Sequence, residues 1–346
     1  MKELEKKKLW IFIAVAYGVA YAMNIVMIIG FKKEYDLSSF VATQMMYPAC
    51  GVILGKLIFG NKDEKLPKAG YITVLGTTFI MIIMSLMSII FHIKPLELGG
   101  VSVDIWYTAL SVVIMIGSIV AYILFWTCGK EQRINAGLQR SSIGWGIVLI
   151  LVFVVMLFAR EFIFAYLSDL SEHTNTRLNF LIDALKERNT IITIITLPFS
   201  FFVTWIAFFG EEYGWRYYLQ PIMQEKFGKR LGVLALGVVW AVWHLGADLM
   251  YYTREYGVQM FISQIITCVA IAIFWGYVYM KTKNIWIISF MHFLNNNIAA
   301  LLNGGGNESL QNQVITWSMI PSHFISAVVF MLFIFAPLYG YKKQEG

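Results

Sequence analysis

The sequence predicts an all-α polytopic membrane protein, and three observations predict it. Of its 346 residues, 58% are hydrophobic and only 14% charged, where soluble domains carry about 25% charged residues. The apolar residues come in continuous runs of about twenty, the length a helix needs to cross a bilayer. Lys and Arg gather in the short segments between those runs, the distribution that membrane topology produces. A transmembrane barrel would show only short alternating segments. Backbone in lipid must also satisfy its polar groups internally, so helices are the spanning element. The net charge of +6 is accounted for by these loops and does not point to nucleic acid.

Ten spans follow in order, each from a run of this kind. The first, 9–31, comes directly after "MKELEKKK". The second, 38–59, encloses Lys56. The runs 71–93, 105–128 and 143–165 are uninterrupted. The sixth, 191–222, is unusually long and holds a charged cluster. Then come 231–251, 259–280, the short and polar 285–302, and 316–340. No internal repeat or low-complexity segment interrupts them, and no small-residue cleavage site marks the first run as a signal peptide.

Ten spans place both termini on one side, and most of the 27 Lys and Arg fall in the segments on that side. These include Lys2 to Lys8, Lys56 to Lys68, Lys130 to Arg140, Lys226 to Arg230, Lys281 with Lys283, and Lys342 with Lys343. The positive-inside rule then makes the N- and C-termini cytoplasmic, and the lysine-rich inner face suggests a plasma membrane. Segment 160–190 mixes charges with apolar residues at helical spacing. Phe180, Leu181, Ala184 and Leu185 could form the face of an interfacial helix, or the segment could be a connecting loop. Cys50, Cys128 and Cys268 lie in or at the end of separate runs without a CxxC pair and read as small membrane-buried residues.

Ionisable groups inside a membrane are costly and mark function by default. Three places qualify: Glu211, Glu212 and Arg216 in "GEEYGWR", His244 in "VVWAVWHLGAD", and His292 with Asn296 in "MHFLNNN". At 1.5 Å rise per residue, Glu211 lies about 18 Å from the inner end of its span, His244 about 20 Å, His292 about 12 Å and Asn296 about 18 Å. Three helices thus bring polar groups to similar depth. Glu212 and Arg216 are spaced i, i+4 and could pair, as are His292 and Asn296; Glu211 is rotated by about 100° from its neighbour.

A carboxylate, two imidazoles and an amide around a wet cavity make a hydrolytic site. The carboxylate can take a proton from water, His244 can hold that water, and His292 with Asn296 could donate to the oxyanion of a tetrahedral intermediate. Other polar residues have blander readings. His92 and His323 sit near span ends as interfacial residues, and His173 is in a loop. Asp248, one turn beyond His244, could hold an imidazole but reads rather as exposed outer-loop polarity, Asn295 and Asn297 as bonding neighbouring helices, and Gly304 to Gly306 as a flexible outer turn. The many Met, Phe and Trp residues read as lipid-facing or packing.

In order, "EEYGWR" matches an EExxxR motif, His244 the histidine of an FxxxH motif, and "HFLNN" an HxxxN motif. On separate membrane helices, these motifs resemble the CAAX-protease and bacteriocin-processing (CPBP) family of intramembrane proteases. The resemblance covers roughly 205–300. It implies that Glu211 is the catalytic glutamate, that His244 assists it, that His292 and Asn296 stabilise the oxyanion, and that Glu212 and Arg216 organise the surroundings. The family's phenylalanine is Trp240 here, still large and aromatic four residues before His244. The family core has about eight helices, so 1–70 would be accessory N-terminal helices and 71–346 the protease-like core.

The function so implied is an intramembrane endopeptidase acting on a membrane-associated or lipid-modified peptide or protein, with membrane lipid as its surroundings. The alternatives are an immunity or peptide-binding protein of the same fold and an ion-coupled transporter. The resemblance implies glutamate and water without a metal. Were Zn²⁺ bound, Glu211, His244 and His292 are the set that could ligate it with a position left open, although the spacing is not HExxH.

Overall fold

The computed structural model describes residues 3–61, 63–98, 101–304 and 310–340. Lys2, Lys62, Lys342, Lys343, Gly305 and Gly306, which figured in the sequence reading, lie outside these. Among the described residues, the protein is all-α apart from two paired antiparallel strands, Leu96–Leu98 with Val101–Val103. Among the described residues, nine helical stretches are long and apolar enough to cross a membrane. Large apolar side chains stand fully open along them, such as Phe199 at 76% and Phe335 at 73% exposure. In water such surfaces would aggregate; against acyl chains they are at home.

The chain divides into two compact units, one of Met1–Gln139 with Pro198–Gly214, the other of Arg140–Leu197 with Trp215–Gly346. In the first unit, α1 (Glu3–Ile13) runs through a π-helical stretch into α2 (Ala20–Lys32). There follow α3 (Ser38–Gln44), α4 (Tyr47–Phe59), α5 (Lys68–Ile90), α6 (Ile105–Thr127) and the short α7 (Lys130–Asn135). A seam of small hydroxyls joins α3 to α5. Thr43 Oγ1 lies 2.9 Å from Ser85 Oγ, and Ser85 donates to the Ser39 carbonyl at 3.0 Å. Small residues that hydrogen-bond across helices are what holds helices together where lipid removes the hydrophobic drive.

The second unit begins with α8 (Ile143–Glu172), seven residues longer than the span read from sequence, and α9 (Thr176–Lys186). Segment 160–190 is therefore mostly helical, interrupted at 173–175 and at Glu187. The Asp169 carboxylate accepts from the Thr174 hydroxyl and from the backbone N–H groups of Arg177 and Leu178, which caps the start of α9. Of the apolar face predicted there, Leu181 is buried while Phe180 is half exposed. α10 (Arg188–Glu212) leads through the π-helical Tyr213–Leu219 into α11 (Gln220–Phe227). α12 (Lys229–Trp243), α13 (Leu245–Met250), α14 (Gly257–Thr282), α15 (Ile285–Leu302) and α16 (Met319–Met331) complete the chain. A last turn, Pro337–Tyr339, buries Tyr339 against Val233 and Ala272, with its hydroxyl donating to the Ile273 carbonyl at 2.6 Å.

The span read as 231–251 is not one helix. It breaks at His244 into stretches of 15 and 6 residues, each too short to cross. An α-helical His244 N–H would bond the carbonyl four residues back, on Trp240. Here it bonds Ala241 at 2.9 Å instead, and the Trp240 carbonyl is taken by the His244 ring at 2.9 Å. The side chain displaces the backbone, and the helix ends.

Candidate active site

In the first unit, the apolar run of α10 ends at Gly210, Glu211 and Glu212. Glu211 is 2% exposed and Glu212 is fully buried. Directly after them the chain turns π-helical over Tyr213–Leu219. Hydrogen bonds there close i→i+5, a device frequent at functional sites. The α-helical i, i+4 phase used to put Glu212 and Arg216 on one face therefore does not run through this stretch. Around the glutamates the packing is close and aromatic. Trp205 donates its indole N–H to the Ser118 carbonyl at 2.9 Å, and Phe209 stacks on Tyr213 at 4.7 Å. The Tyr213 hydroxyl donates to the Ala136 carbonyl at 2.7 Å and lies 2.7 Å from the Tyr71 hydroxyl.

In the second unit, Arg216 is fully buried between two indoles. Its guanidinium carbon is 4.1 Å from the Trp240 ring centre and 5.0 Å from that of Trp275. Stacking of this kind suits the planar, weakly hydrated guanidinium and strengthens when the cation is desolvated. The same two indoles receive His292, edge-on to Trp240 at 5.9 Å and tilted on Trp275 at 5.1 Å. His244 packs at 5.6 Å on Trp240 and edge-on at 4.9 Å to Trp243. Arg216, Trp240, His244 and His292 are thus gathered at one aromatic wall. A carbonyl only accepts, so the His244 Nδ1 that meets the Trp240 oxygen carries the ring proton, and Nε2 of the neutral ring keeps its lone pair.

Asn296 stands one turn beyond His292 on α15, half-buried. Its side-chain oxygen accepts from the Asn295 amide at 3.1 Å, which identifies its NH₂ group as the donor end. The readings of Asn295 and Asn297 as bonds to neighbouring helices are corrected: Asn297 donates to the Phe293 carbonyl at 2.8 Å, within its own helix. Asp248 is also corrected. It is fully buried in α13 rather than exposed, because that short helix packs on α14. His323 reaches Thr267 Oγ1 at 2.8 Å and meets Phe164 edge-on, so it joins helices rather than lying at a span end alone.

Residues 193–298 match the family described as Type II CAAX prenyl endopeptidase Rce1-like. This part of the chain is similar to an Rce1-like domain. The matched stretch contains all seven residues singled out in the sequence, from Glu211 to Asn296, and the family is one of CAAX-type proteases. No curated protein and no solved structure matches the chain.

Within the Rce1-like domain, Trp275 was missed by sequence reasoning. It sits in a run of apolar residues, "VAIAIFWGYVY", where nothing separates a packing indole from one that bears on a histidine. Outside that domain, Tyr71 and Ala136 were likewise invisible. Cys50, Cys128 and Cys268 are all free thiols. Among the described residues, no group of three or more His, Cys, Asp or Glu is placed to hold a metal ion.

Proposed function

We propose that the chain is an intramembrane endopeptidase. Its Rce1-like domain hydrolyses a peptide bond of a membrane-associated or lipid-modified peptide or protein, and Glu211 activates the water. Glu211 accepts a proton from water as the oxygen attacks the scissile carbonyl carbon. His244, with Nδ1 committed to the Trp240 carbonyl, offers Nε2 to orient that water. His292 and Asn296 donate to the oxyanion that forms. The intermediate then collapses, the C–N bond breaks, and the proton held by Glu211 passes to the leaving amine. Glu212 and Arg216 organise the surroundings. No metal enters these steps.

The observation that carries this reading is the sharing of Trp240 by His244 and His292. Two imidazoles from separate helices meet one indole in a domain whose family consists of proteases. The lysine-rich segments support a plasma-membrane location and a cytoplasmic N-terminus.

The test is cleavage of a quenched fluorescent farnesylated peptide ending in a CAAX sequence by the full chain in lipid vesicles. Glu211→Ala and His292→Ala each abolish cleavage while accumulating in membranes like the parent. Cleavage at the parental rate by Glu211→Ala would sink the reading.

A further inference from the structure

The turn that carries Glu211 packs against residues that the Rce1-like match does not include. A Cβ added at Gly210 would stand 2.5 Å from the Met45 carbonyl oxygen and 2.9 Å from the Met46 Cα. One added at Gly214 would collide with Pro48. Backbone thus meets backbone on both sides of Glu211 and Glu212. Between the two contacts stands Tyr213, whose single hydroxyl hydrogen goes to the Ala136 carbonyl at 2.7 Å. The 2.7 Å contact with Tyr71 must then take its hydrogen from Tyr71. This gives a directed chain, Tyr71 to Tyr213 to Ala136, and all three residues are fully buried. Met45 to Pro48, Tyr71 and Ala136 come from the first 139 residues, outside 193–298.

We infer that residues 45–48 together with the Tyr71–Tyr213–Ala136 chain fix the turn that presents Glu211, so that Tyr213 and Tyr71 are positioning residues for the proposed hydrolysis. The physical reason lies in the helix type. The switch from α to π at Tyr213 changes the phase of the chain, and an isolated helix would relax it. Two glycine contacts stop the backbone from sliding, and the buried hydroxyl chain stops it from rotating. The direction of the Glu211 side chain is therefore set from the N-terminal helices. The inference rests on the proposed function.

It is tested on the full chain in vesicles, with the farnesylated CAAX peptide as probe. Tyr213→Phe lowers kcat per folded molecule about tenfold or more while KM stays within about twofold, as expected for a misdirected catalytic group. Tyr71→Phe costs less, because Tyr213 still reaches Ala136. Unchanged kcat in Tyr213→Phe, or a loss fully explained by less folded protein, overturns the inference. If Glu211→Ala is inactive and Tyr213→Phe is not, only the inference fails; if Glu211→Ala is active, the reading beneath it fails. Hydrogen exchange gives a readout independent of turnover. Tyr213→Phe speeds exchange at residues 208–219 above the rest of α10 if the chain of hydroxyls holds the turn, and leaves it unchanged if it does not.

Discussion

The guanidinium carbon of Arg216 lies 4.1 Å from the ring centre of Trp240, over the indole against which both candidate histidines pack. The arginine and both imidazoles thereby share one indole. Arg216→Lys keeps the charge but loses the flat stacking surface. It is expected to reduce cleavage by at least tenfold, and to lower stability by about 1–2 kcal/mol, the size of a desolvated cation–π contact. Peptide cleavage and thermal unfolding in detergent measure the two effects. A lysine variant with parental activity would show that charge alone suffices.

Trp275 backs both Arg216 and His292 and is itself supported by Phe153 at 5.8 Å. Trp275→Ala should cost about 3–5 kcal/mol, as emptied aromatic sites do, and inactivate the chain. Trp275→Phe should fold and retain a fraction of the activity with KM unchanged. Equal activity in the phenylalanine variant and the parent would mean that the full indole tilted against His292 is immaterial.

Asn296→Ala is expected to reduce kcat by about 10²–10³, the cost of one oxyanion donor. Asn295→Ala should cost less, because it only frees the Asn296 amide to turn over. If Asn295→Ala were the more damaging of the two, the donor assignment would be reversed.

Cleavage should continue in the presence of EDTA and of 1,10-phenanthroline, since the proposed steps use Glu211, His244, His292 and Asn296 without a metal ion. Loss of activity with a chelator, restored by Zn²⁺, would replace that mechanism with one in which Glu211, His244 and His292 ligate the ion.

Asp104 caps α6, accepting from the Tyr107 N–H at 2.6 Å. Burial raises its carboxyl above the usual range, outweighing that hydrogen bond, with Asp36 adding to the shift. A carboxyl whose folded pKa exceeds its unfolded one favours folding while it is protonated. That contribution is lost as pH rises from the usual carboxylate pKa through the folded one. Asp104→Asn retains a cap, so it should raise the thermal midpoint at pH 7 and lose that advantage at pH 3. A lower midpoint at pH 7 would show that the charged cap outweighs its burial.

Much of this was legible in the sequence because membranes simplify the code. A run such as 71–93 has one fate in lipid, and α5 occupies Lys68–Ile90. Burial of Glu211, Arg216 and His292 could be anticipated because each stands in such a run. What stayed hidden depends on hydrogen bonds that period and composition do not encode. The break at His244 needs a side chain to outcompete an N–H for the Trp240 carbonyl, and the π-helical Tyr213–Leu219 needs a change of helix type without a Pro or Gly-Gly signal. Asn295 could not be assigned to Asn296, since adjacent residues on a helix ordinarily point apart. Trp275 and Tyr71 looked like any other aromatic in an apolar run.

One ring has consequences for how this sequence can change over time. Trp240 touches Arg216, His244, Trp275 and His292 at once, where the resembled motif carries the smaller phenylalanine. A lineage exchanging one for the other would open a gap against four neighbours, and repair at one of them would disturb the rest. Positions 216, 240 and 275 should therefore drift in concert among relatives, with each tolerated combination refilling the same volume, while single exchanges are purged.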